Sequence, residues 1–124
     1  MEVKSYRDLL VWQKGVNLAV ECYRLTDHFP KSELYGLTNQ MRRAAVSVPS
    51  NVAEGSERQH TPEFIQHVSI SCGSIAELDT QVEIARRLQF VDEQQVQRFY
   101  AQADEVGRML NSLRRSLRAK QGAR

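Results

Sequence analysis

Five side chains in this sequence could begin a catalytic or metal site: His28, His60, His67, Cys22 and Cys72. A di-iron site in a helical bundle takes a Glu from each of two helices and a Glu-x-x-His pair from each of the other two. Glu57-Arg58-Gln59-His60 is one such match, but it falls between two helical patterns and has no mate. His60, His67 and Cys72 follow one another without the paired spacing of a zinc site, so no metal is expected. Cys72 sits in Ser71-Cys72-Gly73-Ser74, where small residues let helices approach closely, and Cys22 sits mid-helix. Neither has an adjacent Lys, Arg or His to depress its pKa, so both read as inert buried thiols. The glycines are isolated, which excludes a phosphate-cradling loop. The expectation is a protein without enzymatic activity or cofactor.

Apolar periodicity defines the elements that would have to position any site. Leu9, Trp12, Val16, Ala19 and Tyr23 recur at alternating spacings of 3 and 4, behind a capping-box-like Ser5 and Asp8. That pattern ends near His28-Phe29-Pro30, because proline cannot continue a helix. A second pattern, with Ser32 as candidate N-cap, carries Leu34, Leu37, Met41, Ala44 and Val48, then Asn51 or Val52. A third opens at Thr61-Pro62, with proline tolerated in the first turn, and runs from Phe64 through Ala85. The fourth starts at Asp92, with Gln95 three residues on, and runs from Val96 to Leu117. Sustained period-two alternation is missing, so the prediction is all-α: an antiparallel up-down-up-down four-helix bundle. Residues 1–124 form a single domain in this reading, with a basic C-terminal end that frays from about residue 118.

The first helix carries Val11, Leu18 and Leu25 at heptad spacing, two positions after its seam residues. The equivalent positions of the fourth helix are Arg98, Glu105 and Ser112. A second apolar face on one helix alone predicts a subunit interface, testable by Leu18→Glu.

The most informative segment is Gln40 to Gly55. Pro49 lies within its helical pattern, where it removes a hydrogen bond to the Ala45 carbonyl and predicts a kink. Ser47, Ser50 and Asn51 can satisfy freed backbone groups, and Asn51 on the apolar stripe requires a buried partner. Arg42 and Arg43 precede the kink and could bind phosphate or pair with Glu77, Asp79 or Glu83 on the next helix. Arg43 and Glu77 are assigned a structural role together with Pro49 and Asn51, while Arg42 is left between the two readings.

The formal charge is +2, with 41% apolar and 26% charged residues, a globular composition. Residues 1 to 107 hold 11 of the 17 cations and all 15 acids, and everything basic from Arg108 onward is unopposed. Such an end either attracts phosphate or simply opposes a helix dipole. No apolar run approaches a membrane span, and no secretory signal is visible. Two cysteines cannot build a disulfide framework, so the expected location is the cytoplasm.

Taken together, several motifs resemble the bacterial four-helix-bundle family first associated with intervening sequences in 23S ribosomal RNA genes. They are Leu10-Val11-Trp12-Gln13-Lys14, Thr26 to Pro30, Glu33-Leu34-Tyr35-Gly36-Leu37, Gln40 to Ser47 and Pro49 to Gly55. Glu63-Phe64, Gly73-Ser74, Glu77-Leu78 and Thr80-Gln81 continue the series in order. The resemblance implies a bundle that assembles as a ring, a homopentamer, without known enzymatic activity. A related accessory protein of diversity-generating retroelements is thought to bind nucleic acid and a reverse transcriptase through basic surfaces.

Two functional expectations follow. The first is a non-catalytic homo-oligomeric scaffold or adaptor whose partners are copies of itself or another protein. The second is an RNA- or DNA-binding accessory that uses Arg42, Arg58, Arg108, Arg114, Arg115 and Arg118.

Overall fold

The computed structural model of the chain describes residues 5–122. A short 3-10 turn, Tyr6–Asp8, leads into α1 (Leu10–Thr26). A second 3-10 turn, Lys31–Glu33, precedes α2 (Leu37–Ser56), and α3 (Thr61–Arg87) and α4 (Glu93–Gly122) follow. Adjacent helices pack in sequence, α1 on α2, α2 on α3 and α3 on α4, and α1 closes the bundle against α4. The four helices are antiparallel neighbours, and the described residues contain no strand.

The helix ends follow local chemistry. At α4 the expected capping box forms reciprocally: Gln95 N–H donates to Asp92 Oδ1 at 2.7 Å, and Asp92 N–H donates to Gln95 Oε1 at 2.9 Å. Ser5 caps the 3-10 turn rather than α1, since its Oγ accepts from the Arg7 amide. Glu33, not Ser32, serves α2, with Oε1 accepting the Leu37 amide at 3.1 Å. α4 is helical to Gly122, the last described residue.

α2 runs through Pro49 as one helical segment. The ring is accommodated because Gly15 of α1 lies against it; a Cβ on Gly15 would stand 3.3 Å from the Pro49 Cβ. The small residue on α1 makes room for the ring that α2 cannot avoid.

The core corrects the expected phase of α1. Val11, Leu18 and Leu25 are buried at 6%, 1% and 9% exposure within the chain's own core, so they do not form an external subunit face. Gly15 and Cys22 complete a 11-15-18-22-25 seam of spacings 4, 3, 4, 3. The competing stripe lies on its flank: Trp12 is half-buried and Tyr23 is exposed. Two small residues disguised the true seam, because the larger apolar side chains stood one helical step aside.

Candidate functional site

Along the α2–α3 contact, the sequence places short polar side chains on otherwise apolar stripes. The buried Ser71 Oγ donates to the Val48 carbonyl at 2.8 Å. Ser74 Oγ donates to Ser47 Oγ at 2.9 Å, and Asn51 Nδ2 donates to both Ser47 O and Ser47 Oγ. The Asn51 Oδ1 acceptor meets His67 Nδ1 at 2.9 Å, which assigns the proton to Nδ1. His67 Nδ1 also stands 3.5 Å from Glu54 Oε2. Asn51 therefore has the partner its position demanded, and this partner, His67, was not legible in the linear pattern. Gly55 permits the approach: a Cβ there would meet His67 Cβ at 2.7 Å and Phe64 Cδ1 at 3.0 Å.

The paired arginines of α2 divide. Arg42 turns to α1, where Nε donates to Thr26 Oγ1 at 2.9 Å and the guanidinium stacks 4.6 Å from the Tyr23 ring centroid. It also lies 3.5 Å from Asp27 Oδ1. These contacts commit Arg42 to packing α1 on α2. Arg43 is exposed and makes no ion pair within 4.0 Å among the described residues, contrary to the expected link with Glu77, Asp79 or Glu83. The carboxylates have other environments: Glu77 accepts from Gln81 Nε2, and Glu83 binds Arg86 and Arg87 on its own helix. Arg43 and Glu77 nevertheless line one shallow cleft of about 300 Å³.

Local titration is structural. Hydrogen bonds from Arg86 and Arg87 hold the Glu83 carboxyl down to about 2. Burial raises Asp79, with Asp104 adding like-charge repulsion. Burial pushes the Cys22 thiol up to about 12, and it raises Cys72 against the opposing pull of Arg114 and Arg118. Neither thiol is activated toward nucleophilic chemistry. Among the described residues no three His, Cys, Asp or Glu side chains converge as a metal set, and no helix is long and apolar enough to cross a membrane.

What remains is surface. Tyr35 is 91% exposed beside Leu34, and together with Tyr23 and Val46 they line a groove of about 640 Å³ on the outer side of α1 and α2. On α3, Ile70 and Ile84 are also exposed, with Glu77 midway between them, and Leu88 is exposed just past the end of the helix. Sequence reasoning missed both features. The heptad spacing of positions 70, 77 and 84, off the α3 seam, was the available signal.

The basic candidates are distributed unevenly. Arg108 pairs with Asp104 at 3.6 Å, and Arg114 bonds Ser69 Oγ and Asn111 Oδ1. Arg115, Arg118 and Lys120 are exposed and make no ion pair among the described residues. Arg58, exposed at the end of α2, shares the bundle end to which α4 runs, because those two helices point the same way.

The family model for the 23S rRNA-intervening sequence protein matches residues 7–112. No curated protein matches the chain. Among solved structures, the chain is similar to a Bacteroides thetaiotaomicron VPI-5482 protein with unknown function from the S23 ribosomal protein family. The TM-score is 0.80 at 20% identity, covering 86% of this chain and 96% of that one.

Proposed function

The chain belongs to the 23S rRNA-intervening sequence protein family, and we propose that it acts as a non-catalytic, homo-oligomeric scaffold whose copies close into a ring, a homopentamer. One observation carries this reading: among the described residues, six of the nine exposed large apolar side chains fall on the outer groove of α1–α2 and the outer stripe of α3, with Tyr35 at 91% exposure. Concentrated apolar surface of this kind, with Tyr and Arg together, is the composition of protein interfaces. Light scattering coupled to size exclusion tests it. A mass several times the 14.2 kDa chain supports the scaffold, and a monomer mass across micromolar concentrations rejects it.

A second reading, as an RNA-binding accessory, draws support from Arg115, Arg118 and Lys120, which project without ion pairs among the described residues from the last turns of α4. Its signature is an affinity that falls steeply with salt. The two readings are compatible, since ring symmetry would repeat a modest basic patch around one end.

A further inference from the structure

We propose that the α1–α2 groove around Tyr35 receives the outer α3 stripe of a second copy of this chain, with Arg43 of one copy pairing with Glu77 of the next. The inference rests on the homo-oligomeric reading above and specifies which surfaces meet.

The two faces are chemically complementary. The groove offers Tyr23, Leu34, Tyr35 and Val46 around an exposed guanidinium, Arg43, that has no ion pair among the described residues. The stripe offers Ile70 and Ile84 around a carboxylate, Glu77, whose described hydrogen bond is the long 3.3 Å one from Gln81. Arg42, which also lines the groove, is already paired with Asp27, so the charge left without a partner on the groove is Arg43, and it is opposite in sign to Glu77 on the stripe. Burial of either face against a neutral partner would strand its ion, whereas burial against the other face pairs it.

The register also agrees. Ser47 meets Ser74 and Val48 meets Ser71 across the antiparallel α2–α3 contact, which sets Arg43 level with Glu77 along the bundle. Their shared cleft with Gln40, Ala44, Ser47 and Ser74 agrees with that level. A neighbour related by rotation about an axis parallel to the bundle keeps that height. Its Glu77 then arrives opposite Arg43, and its Ile84 arrives toward the end bearing Tyr35. The groove opens beside α1 and the stripe opens beside α2, so they occupy adjacent sides of a four-sided bundle. Contacts through adjacent sides, roughly at right angles, are heterologous and close a ring of about four or five copies instead of a filament.

The test uses the full-length chain with Cys72→Ser. A tagged Val46→Cys chain is mixed with an untagged Ile84→Cys chain under mild oxidation, beside each variant alone. In parallel, Arg43→Glu and Glu77→Arg are compared by light scattering, with far-UV circular dichroism checking that each remains helical. The expected result is a disulfide dimer in the mixture only. Each charge reversal should raise the concentration of half-assembly about tenfold. Mixing the two reversed chains should bring them together where neither assembles alone, because the carboxylate introduced at position 43 of one chain then faces the guanidinium introduced at position 77 of the other, and alternation matches all but one contact of a five-membered ring. An ion pair confined to one chain could not be repaired in this way. A parent chain that is monomeric overturns the scaffold reading and this inference together. A multimeric parent with no mixed disulfide and unmoved charge variants overturns this inference alone. A disulfide between two Val46→Cys chains also overturns it, since that contact joins groove to groove.

Discussion

Gly55 shows how a single missing side chain sets the α2–α3 contact. Its absent Cβ is what lets the His67 Cβ come to a position only 2.7 Å from where that carbon would be. Gly55→Ala should therefore force the helices apart and destabilise the fold by about 1–3 kcal/mol, despite the better helix propensity of alanine. Urea denaturation would read this, and an unchanged midpoint would contradict the packing argument. Asp79 is a second residue whose environment has a measurable sign. Burial and Asp104 raise its pKa above the ordinary 3.8, so the folded state holds that proton more tightly than the unfolded chain. The stability associated with it is fully present below the unfolded pKa and is lost as pH rises through the folded value. Asp79→Asn should consequently be more stable than the parent at neutral pH, and the advantage should shrink as the medium is acidified through the raised folded value toward 3.8. Glu83 acts in the opposite sense. Its carboxyl is held down to about 2, so its contribution is present above the ordinary 4.5 and disappears as pH falls from there toward 2. Thermal unfolding of Asp79→Asn and Glu83→Gln across this range would separate the two, since their differences from the parent run in opposite directions.

Elements make a different kind of demand, because a helix must stop as well as start. α3 ends in a Schellman motif: the Phe90 amide donates to the Ala85 carbonyl and the Gln89 amide donates to the Arg86 carbonyl. Gln89 occupies the left-handed position at φ 64°, where a side chain costs energy that glycine avoids. Gln89→Gly should stabilise the bundle by about 0.5–1 kcal/mol in thermal or urea melts, and a loss of stability would mean that the Gln89 side chain has a compensating role. Such ends were only partly legible in the sequence. The Asp92–Gln95 box could be read because both partners belong to one local pattern, whereas the Gln89 turn carried no glycine to announce it. The same distinction explains the core. α2, α3 and α4 were phased correctly because large side chains such as Met41, Leu78 and Leu110 mark their seams. α1 was misphased because Gly15 and Cys22, the small members of its seam, gave no hydrophobic weight to the 11-15-18-22-25 stripe. His67 was likewise illegible, since the register of two helices decides which residue meets Asn51. The revised phase changes what Leu18→Glu must do: with Leu18 1% exposed, the variant should unfold the chain, not merely dissociate copies. Loss of helical circular dichroism would show this, and a well-folded, helical Leu18→Glu monomer would restore the idea of an external face.

At the scale of the whole molecule, the arrangement of charge says more than its formal sum of +2. Most acids of the first three helices are distributed along their sides, while the last turns of α4 carry Arg115, Arg118 and Lys120 without an ion pair among the described residues. Antiparallel packing brings that end beside the α2–α3 turn, where Arg58 is exposed. Arg42 and Arg114 have contacts that explain them structurally, and Arg108 is opposed by Asp104. The nucleic-acid reading therefore narrows to Arg58, Arg115, Arg118 and Lys120, at one end of the bundle. Arg115→Glu/Arg118→Glu is the informative variant because both side chains are exposed and their loss leaves the core untouched. With single-stranded RNA as probe, the parent should show log affinity falling linearly with log salt concentration. The variant should bind more weakly at low salt, and its slope should be shallower by about 0.7 for each phosphate contact removed. The comparison must be made at matched assembly, monitored by light scattering, since a ring would multiply the contacts of each chain. A variant with unchanged affinity and slope would leave these cations as a solvated helix terminus that opposes the α4 dipole. Their geometry would then serve the bundle alone, and the scaffold reading would stand without an RNA partner.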